Sequence, residues 1–435
     1  MSDLLPHLPA ALAVRSFGRV TGISGLLMTC EGLENIAMGS RCVVTDTQGQ
    51  SRAAEVVGYN GKVAHLMPFG ALDGIGPGCR VYPQQSFPSI AVNNGFIGRV
   101  LNALGEPIDD KGALAGGGTA QPLKANPPLA GRRKAVGAKM DTGVRVMNTF
   151  LPICNGQRMG IFAGSGVGKS VLMSMVAKYS GADVNVIGLI GERGREVREF
   201  IDEQLGVVGM NKSVVVVATS DEPPLMRRQA AYTTLAIAEY FRDCGFNVML
   251  MMDSVTRFAM AQREIGLSAG EPPTTRGYTP SVFAELPRLL ERAGPGTDKG
   301  TISAIFTVLV EGGDMDEPVA DAVRGIVDGH IVLTRKLAER GHFPAVDVLQ
   351  SISRMVPNCL SKEEYATLLK ARQILSTYMD MEELIRLGAY TKGTDPQVDE
   401  AMTLYPALAN FLKQDPVDRT AMAESYKKLR EIVKV

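Results

Sequence analysis

The sequence predicts a three-part α/β protein. A small β-barrel comes first, then a central domain with a mostly parallel sheet and a phosphate-binding loop, then an α-helical domain. Three observations carry this. Ala163-Gly164-Ser165-Gly166-Val167-Gly168-Lys169-Ser170 sets a glycine-rich turn between an apolar run ending at Phe162 and a helix-like segment from Val171 to Tyr179. From about residue 140, apolar runs alternate with helical patterns. After about residue 350 the apolar positions take helical spacing. The units expected are 1–90, 91–350 and 351–435.

The 435 residues suffice for about two to four domains, and 45% apolar content supports real cores. Lys+Arg and Asp+Glu are both 46, so no net charge draws the chain to nucleic acid or anionic membrane. The six cysteines are scattered with no C-x-x-C pair. They read as buried free thiols in a reducing cytosol rather than as a zinc site or disulfide frame. Asp3, Pro6 and Pro9 make the first residues unlike a signal peptide. No apolar stretch approaches the ~20 residues that span a bilayer. A soluble cytoplasmic protein is expected, one able to dock peripherally at a membrane complex.

Taking the elements in order, Gly18 to Ile23, Arg41 to Thr45, Ala53 to Tyr59, Val63 to Met67 and Cys79 to Tyr82 read as short strands between Gly, Asp and Asn turns. Asn60-Gly61 is a hairpin signal, and the spacing fits a small closed barrel. Residues 1–90 carry six basic and six acidic side chains, whereas an RNA-binding barrel is expected to be basic. Residues 109–137 read as irregular surface chain. Buried strands follow at Met159–Ala163, Val184–Ile190, Val214–Ala218, Val248–Met252 and Ile302–Val310. Ser361 to Glu364 reads as a capping box. Tyr365, Leu368, Leu369, Leu375, Tyr378 and Met379 then form an apolar stripe that Gly388 ends, and Met422, Tyr426, Leu429 and Ile432 mark a last helix.

Four constellations carry chemistry. In the loop, Gly164, Ser165, Gly166, Val167 and Gly168 turn backbone N–H groups toward phosphate. Lys169 reaches the β/γ-phosphates, Ser170 supplies a hydroxyl to Mg²⁺, and Val171 continues the helix whose N-terminus favours anions. Ala163 replaces the usual first glycine. Val248 to Asp253 reads as a buried strand delivering a carboxylate to its edge, where Asp253 either holds Mg²⁺ or caps a turn. Glu192, just after the strand Val184–Ile190, can orient water, and Arg193 can sit near the γ-phosphate. Glu196 is explained by a charged helix start. Arg354 lies near the start of the helical domain, where an arginine either faces solvent or completes a neighbour's site.

Six stretches carry a resemblance: Gly164–Ser170, Leu189 to Glu199, Asp253 to Ile265, Gly270 to Glu285, Asp328 to Leu333 and Ser351 to Arg354. Together they resemble the catalytic β subunit of rotary ATP synthases and, more closely, the type III export ATPases, over nearly all the chain beyond the first 15 residues. The resemblance implies a RecA-like central domain, ATP and Mg²⁺ as ligands, and a homo-hexameric ring. It implies that Lys169, Ser170 and Asp253 serve phosphate and Mg²⁺. Glu192 is implied as the catalytic carboxylate, Arg193 and Arg257 as arginines near the γ-phosphate, and Arg354 as a finger into the adjacent subunit. Phe343 matches the aromatic on which adenine stacks, with Phe411 as candidate partner.

The implied partners are a stator-like export regulator, a central stalk, export substrates and chaperones, and the membrane export gate; no nucleic acid is implied. Leu4, Leu5, Leu8 and Leu12 suggest an N-terminal regulator-binding face that Pro6 and Pro9 interrupt. Residues 259–264, 278–281 and 389–395 look flagellar rather than injectisome-like. A non-catalytic ring subunit is disfavoured by Glu192. An RNA translocase is disfavoured by the neutral barrel and the lack of tryptophan.

Overall fold

The computed structural model describes residues 16–33, 36–84 and 88–434. The leucines and prolines of the first 15 residues lie outside them. Six antiparallel strands close the barrel: β1 (Gly18–Ser24), β2 (Leu27–Glu31), β3 (Arg41–Thr45), β4 (Ser51–Asn60), β5 (Val63–Pro68) and β6 (Arg80–Pro83), in the order β1-β2-β5-β4-β3-β6. Asn60 pairs with Val63 across the hairpin, and Gly61 takes φ +58°. Alternate residues such as Cys42 and Val44, Ala64 and Leu66, fill the interior. The strand Leu27–Glu31 was not among the expected runs, yet the barrel closes only through it, since β2 joins β1 to β5.

The central sheet holds β7 (Val100–Asn102), β8 (Arg158–Ala163), β9 (Val184–Glu192), β10 (Ser213–Thr219), β11 (Asn247–Asp253), β12 (Thr301–Leu309), β13 (Gly329–Leu333) and β14 (Val346–Ser353). The spatial order is β14-β13-β8-β12-β11-β9-β10-β7. All neighbours in this order are parallel except the antiparallel edge pair β13–β14, and a ninth strand, Gly294–Pro295, pairs antiparallel with the start of β12. These strands are nearly continuous apolar runs because both faces are covered. Period two divides their side chains between two cores. Val184, Val186, Val248 and Leu250 join one, while Ile187, Leu189, Met249 and Met251 join the other.

The first core takes the helices α3 (Pro224–Asp243), α4 (Val255–Ser268), α5 (Pro280–Leu290) and α6 (Pro318–Ile326). The second takes α1 (Lys169–Tyr179) and the helical domain. The short helix α2 (Gly194–Glu199) lies between them in sequence, directly after β9.

The helical domain comprises α7 (Lys362–Arg386), α8 (Pro396–Leu412) and α9 (Met422–Val433). The capping box is present: the Glu364 amide donates to the Ser361 hydroxyl at 3.2 Å, and the Ser361 amide donates to the Glu364 carboxylate at 2.8 Å. Gly388, at φ +70°, follows the end of α7. The α7 stripe needs correction. Thr367, Leu368, Ala371, Ile374 and Leu375 face inward, whereas Tyr365 and Leu369 are exposed. Both sit near the helix start, where only one side is covered.

Two other expectations change. The sequence boundaries at 90/91 and 350/351 fall inside strands, Ser89–Val92 and β14. Thr119–Pro122, within the stretch read as irregular, pairs antiparallel with Ser89–Val92.

A polar seam fixes the helical domain to the central one. Gln414 is buried. Its side chain accepts from the Arg145 amide at 2.7 Å and donates to Gly143 O and Asp418 O at 2.8 Å. Its amide donates to the Phe343 carbonyl at 2.9 Å.

Candidate active site

The loop after β8 gathers the first group of candidates. Ala163 is the last residue of β8, fully buried and paired with Leu309 and Leu333. It needs no glycine, because the chain is still regular strand there. The turn proper uses Gly166 at φ +76° and Gly168 at φ +89°, a left-handed region that favours glycine. Val167 is buried and anchors the loop, so Ala163 and Val167 offer a ligand only backbone. Lys169 and Ser170 open α1, whose first N–H groups have no intrahelical partner.

The carboxylates arrive on neighbouring strands. Asp253 ends β11 beside Leu189 of β9. Glu192 ends β9 three residues later, past a register shift at Gly191. Gly191 has φ +70°, and a Cβ there would lie 2.9 Å from Arg257 Cβ. The bulge re-aims Glu192 over the sheet edge while letting Arg257 pack against it. The Lys169 ammonium contacts the Asp253 carboxylate and lies 3.6 Å from Glu192. The Thr307 hydroxyl donates to Asp253 at 2.7 Å.

Two carboxylates and one lysine leave a net negative, largely buried cluster. Burial and the nearby Asp253 charge push the Glu192 carboxyl up to about 7, against the opposing pull of Lys169 and Arg257. Burial works against the Lys169 charge, but Asp253 and Glu192 outweigh it and hold the ammonium above the ordinary lysine range. Arg257 leaves a buried Nε without a hydrogen-bond partner. An unpaired guanidinium N–H at a cleft wall suits an anionic ligand.

These groups line one cleft of ≈ 360 Å³ that holds Gly164, Ser165, Gly166, Gly168, Lys169, Ser170, Val171, Glu192, Arg193 and Arg257, with Asp253 buried beneath. Arg193 is exposed at its mouth and pairs with Glu196 at 3.5 Å. Phe343 is 44% exposed, and its ring lies 3.4 Å from where a Gly168 Cβ would sit.

Phe411 is not in the cleft, which corrects its pairing with Phe343. It is 6% exposed in the core beneath the Arg145 guanidinium, and so offers no ring face to a base. Arg354 is also elsewhere. Its amide donates to Asp328 O, beside Arg158 at the start of β8, whereas the loop follows the end of β8. The strand's length separates the two by about 17 Å.

The sequence reading missed Thr307, Gln204 and Glu199. Thr307 was detectable as a hydroxyl near the carboxyl end of the otherwise mostly apolar β12. Gln204 and Glu199 line the cleft from the helical turns after Glu192, which include a π-helical stretch at Phe200–Leu205. Nothing in residue spacing signals a π turn.

The model of the ATP synthase alpha/beta family nucleotide-binding domain matches residues 143–353, and that of the family's beta-barrel domain matches 20–84. A flagellum-specific ATP synthase of Caulobacter vibrioides is 54% identical over 424 residues, covering 96% of each chain. The chain belongs to the ATP synthase alpha/beta family. The type III secretion EscN ATPase C-terminal domain model matches 360–431. The flagellum-specific ATP synthase of Bacillus subtilis is 52% identical, covering 94% of each chain. Among solved structures, the assembled ATPase EscN of the enteropathogenic E. coli type III secretion system is 40% identical with TM-score 0.89, covering 96% of this chain and 100% of that one. EscN in complex with its central stalk EscO gives TM-score 0.88. Every candidate residue except Arg354 and Phe411 falls within the family's nucleotide-binding match.

Proposed function

We propose that this chain hydrolyses ATP with Mg²⁺ at sites shared between subunits of a homo-hexameric ring, and that this energises protein export through the flagellar type III apparatus. One observation carries the shared site. Lys169, Glu192, Asp253 and Arg257 converge in one chain, while Arg354 stands at the other end of the sheet. Arg354 is exposed and too far from its own cleft to serve it, which supports a role at a neighbour's.

The residues divide the work. The loop amides and the start of α1 hold the β/γ-phosphates, and Lys169 and Arg257 neutralise charge there. Glu192, as carboxylate, orients the attacking water in line with the γ-phosphate. A neighbour's Arg354 stabilises the charge that spreads in the transition state, and Arg193 stands at the entrance. Phe343 offers one face to adenine. The Ser170 hydroxyl and the Asp253 carboxylate are hard oxygen donors of the type Mg²⁺ takes alongside phosphate oxygens and water. Bound there, the ion would offset the negative charge of the phosphates.

The flagellar branch is supported by the 54% and 52% identities to flagellum-specific ATP synthases, against 47% to a type 3 secretion system ATPase of Xanthomonas euvesicatoria. A central stalk partner is supported by the EscN–EscO complex. The stator-like regulator, export substrates, chaperones and membrane export gate remain the partners proposed. No helix among the described residues is long and apolar enough to cross a membrane. We propose peripheral docking at the cytoplasmic face.

The test combines purified protein and a deletion strain. Phosphate release from ATP should require Mg²⁺ and stop with EDTA, and the deletion should abolish motility. Intact motility with lost effector secretion would move the protein to the injectisome branch. Absence of Mg²⁺-dependent release from assembled protein would end the ATPase reading.

A further inference from the structure

Two hydroxyls of β12 stand where apolar side chains would pack. Ile302, Ala304, Ile305, Phe306 and Val308 are fully buried, and so are Ser303 and Thr307. A buried hydroxyl is costly unless it is hydrogen-bonded, so each of the two has a polar task. Ser303 has a local one near the start of the strand, where its hydroxyl accepts from the Gly156 amide at 2.9 Å. Thr307 lies at the other end. It pairs with Ile161 of β8, and Phe306 beside it pairs with Met252 of β11. The register therefore sets Thr307 between the strand that leads into the phosphate loop and the strand that ends in Asp253.

Two acceptors lie within reach of its single hydroxyl proton. Asp253 Oδ1 is at 2.7 Å and Met252 O at 3.4 Å, so the carboxylate takes it. The Lys169 ammonium contacts the same oxygen. Among the described residues no hydrogen-bond donor reaches Asp253 Oδ2. The two oxygens of this carboxylate are thus divided: Oδ1 is held from within the protein, and Oδ2 is not.

We propose that Thr307 is a positioning residue for Mg²⁺, holding Asp253 by Oδ1 so that Oδ2 is kept for the ion or its bound water. This role rests on the proposed use of ATP with Mg²⁺ at the cleft.

Lys169 does not suffice for the task once nucleotide is bound. Its ammonium then serves the β/γ-phosphates and gives up Asp253. Thr307 is the donor that remains on Oδ1. A hydroxyl carried on the central strand of the sheet stays in place whether or not nucleotide is present. Outer partners of this kind orient a metal-binding carboxylate, and their loss typically costs roughly 10- to 100-fold in metal affinity.

The test titrates Mg²⁺ into the full chain with a fluorescent, non-hydrolysable ATP analogue, and repeats analogue binding in EDTA. No turnover occurs, so the readout is separate from catalysis. Thr307→Val exchanges the hydroxyl for a methyl and should raise the half-saturating Mg²⁺ about tenfold. Affinity in EDTA and the melting temperature of the nucleotide-free chain should stay near wild type, because Lys169 still holds Asp253 there. Thr307→Ser should restore the Mg²⁺ dependence. Ser303→Ala, which removes a hydroxyl from the same strand away from Asp253, should leave it unchanged. Should Thr307→Val fold poorly, Thr307→Ala reads the same quantity. Unchanged Mg²⁺ saturation in the Thr307→Val chain would overturn the proposal and leave the Mg²⁺ site itself standing. Equal weakening with and without Mg²⁺, no rescue by serine, or an equal shift in Ser303→Ala would overturn it in favour of a packing role. A wild-type chain whose analogue binding ignores Mg²⁺ would end the Mg²⁺ site and the proposal with it.

Discussion

Glu192 is where stability and chemistry oppose each other. Its carboxyl is pushed up to about 7 from an ordinary value of 4.5, by burial and then by Asp253. In the proposed mechanism ionised Glu192 orients water, so kcat/KM should fall as pH drops below about 7, tenfold per unit. A profile flat down to pH 5 would refute that role. The same shift fixes the sign of its stability term. The folded chain binds a proton that the unfolded chain has released between pH 4.5 and 7, so stability falls as pH rises through that window. Glu192→Gln should therefore stabilise nucleotide-free protein at pH 8 by on the order of 1 kcal/mol, read as a raised melting temperature, and give no gain near pH 4.5. The variant should bind ATP normally and lose about 100-fold or more in turnover. Phe343→Ala should weaken ATP binding about 3- to 10-fold with little change in kcat, in line with one lost stacking face. Titration with a fluorescent nucleotide measures it. At this scale the place of Lys169 and Ser170 at the cleft was readable from the loop itself. Phe411 misled because core aromatics and base-stacking aromatics look alike until burial is known.

The elements place these groups through register and twist that no local pattern states. Glu192 reaches the cleft because Gly191 breaks the β9 register, and Arg257 fills the space a side chain would need. Gly191→Ala should cost about 1–3 kcal/mol through its left-handed backbone and the crowding of Arg257. It should lower kcat while leaving phosphate binding at the loop nearly intact. A variant with normal melting and normal kcat would show that the bulge does not position Glu192. The strands themselves were legible, since buried parallel strands are continuous apolar runs of the right length. The strand Leu27–Glu31 was not: its mix of Met, Thr and Cys lacks a strong alternating signal, and only barrel closure demands it. In α7, apolar spacing marked a helix correctly but not which side is covered, and Tyr365 and Leu369 stand exposed.

On the scale of the whole molecule, the sheet separates the two halves of the proposed site. Its carboxyl end presents the phosphate loop, Glu192 and Asp253, and the other end carries Arg354 beside Asp328. Three-domain order and fold class were legible from composition and periodicity. The opposition of Arg354 to its own cleft was not, because it follows from the antiparallel turn of β14 against β13. A ring with heterologous contacts turns that opposition into a shared site. Mixing two inactive variants, Glu192→Gln and Arg354→Ala, tests this most directly. In a ring assembled from both, an interface pairing Glu192 of one variant with Arg354 of the other is intact. Random 1:1 assembly should restore about one quarter of the wild-type turnover per site if the interfaces act independently. A mixture no more active than the sum of its separate variants would contradict the shared site.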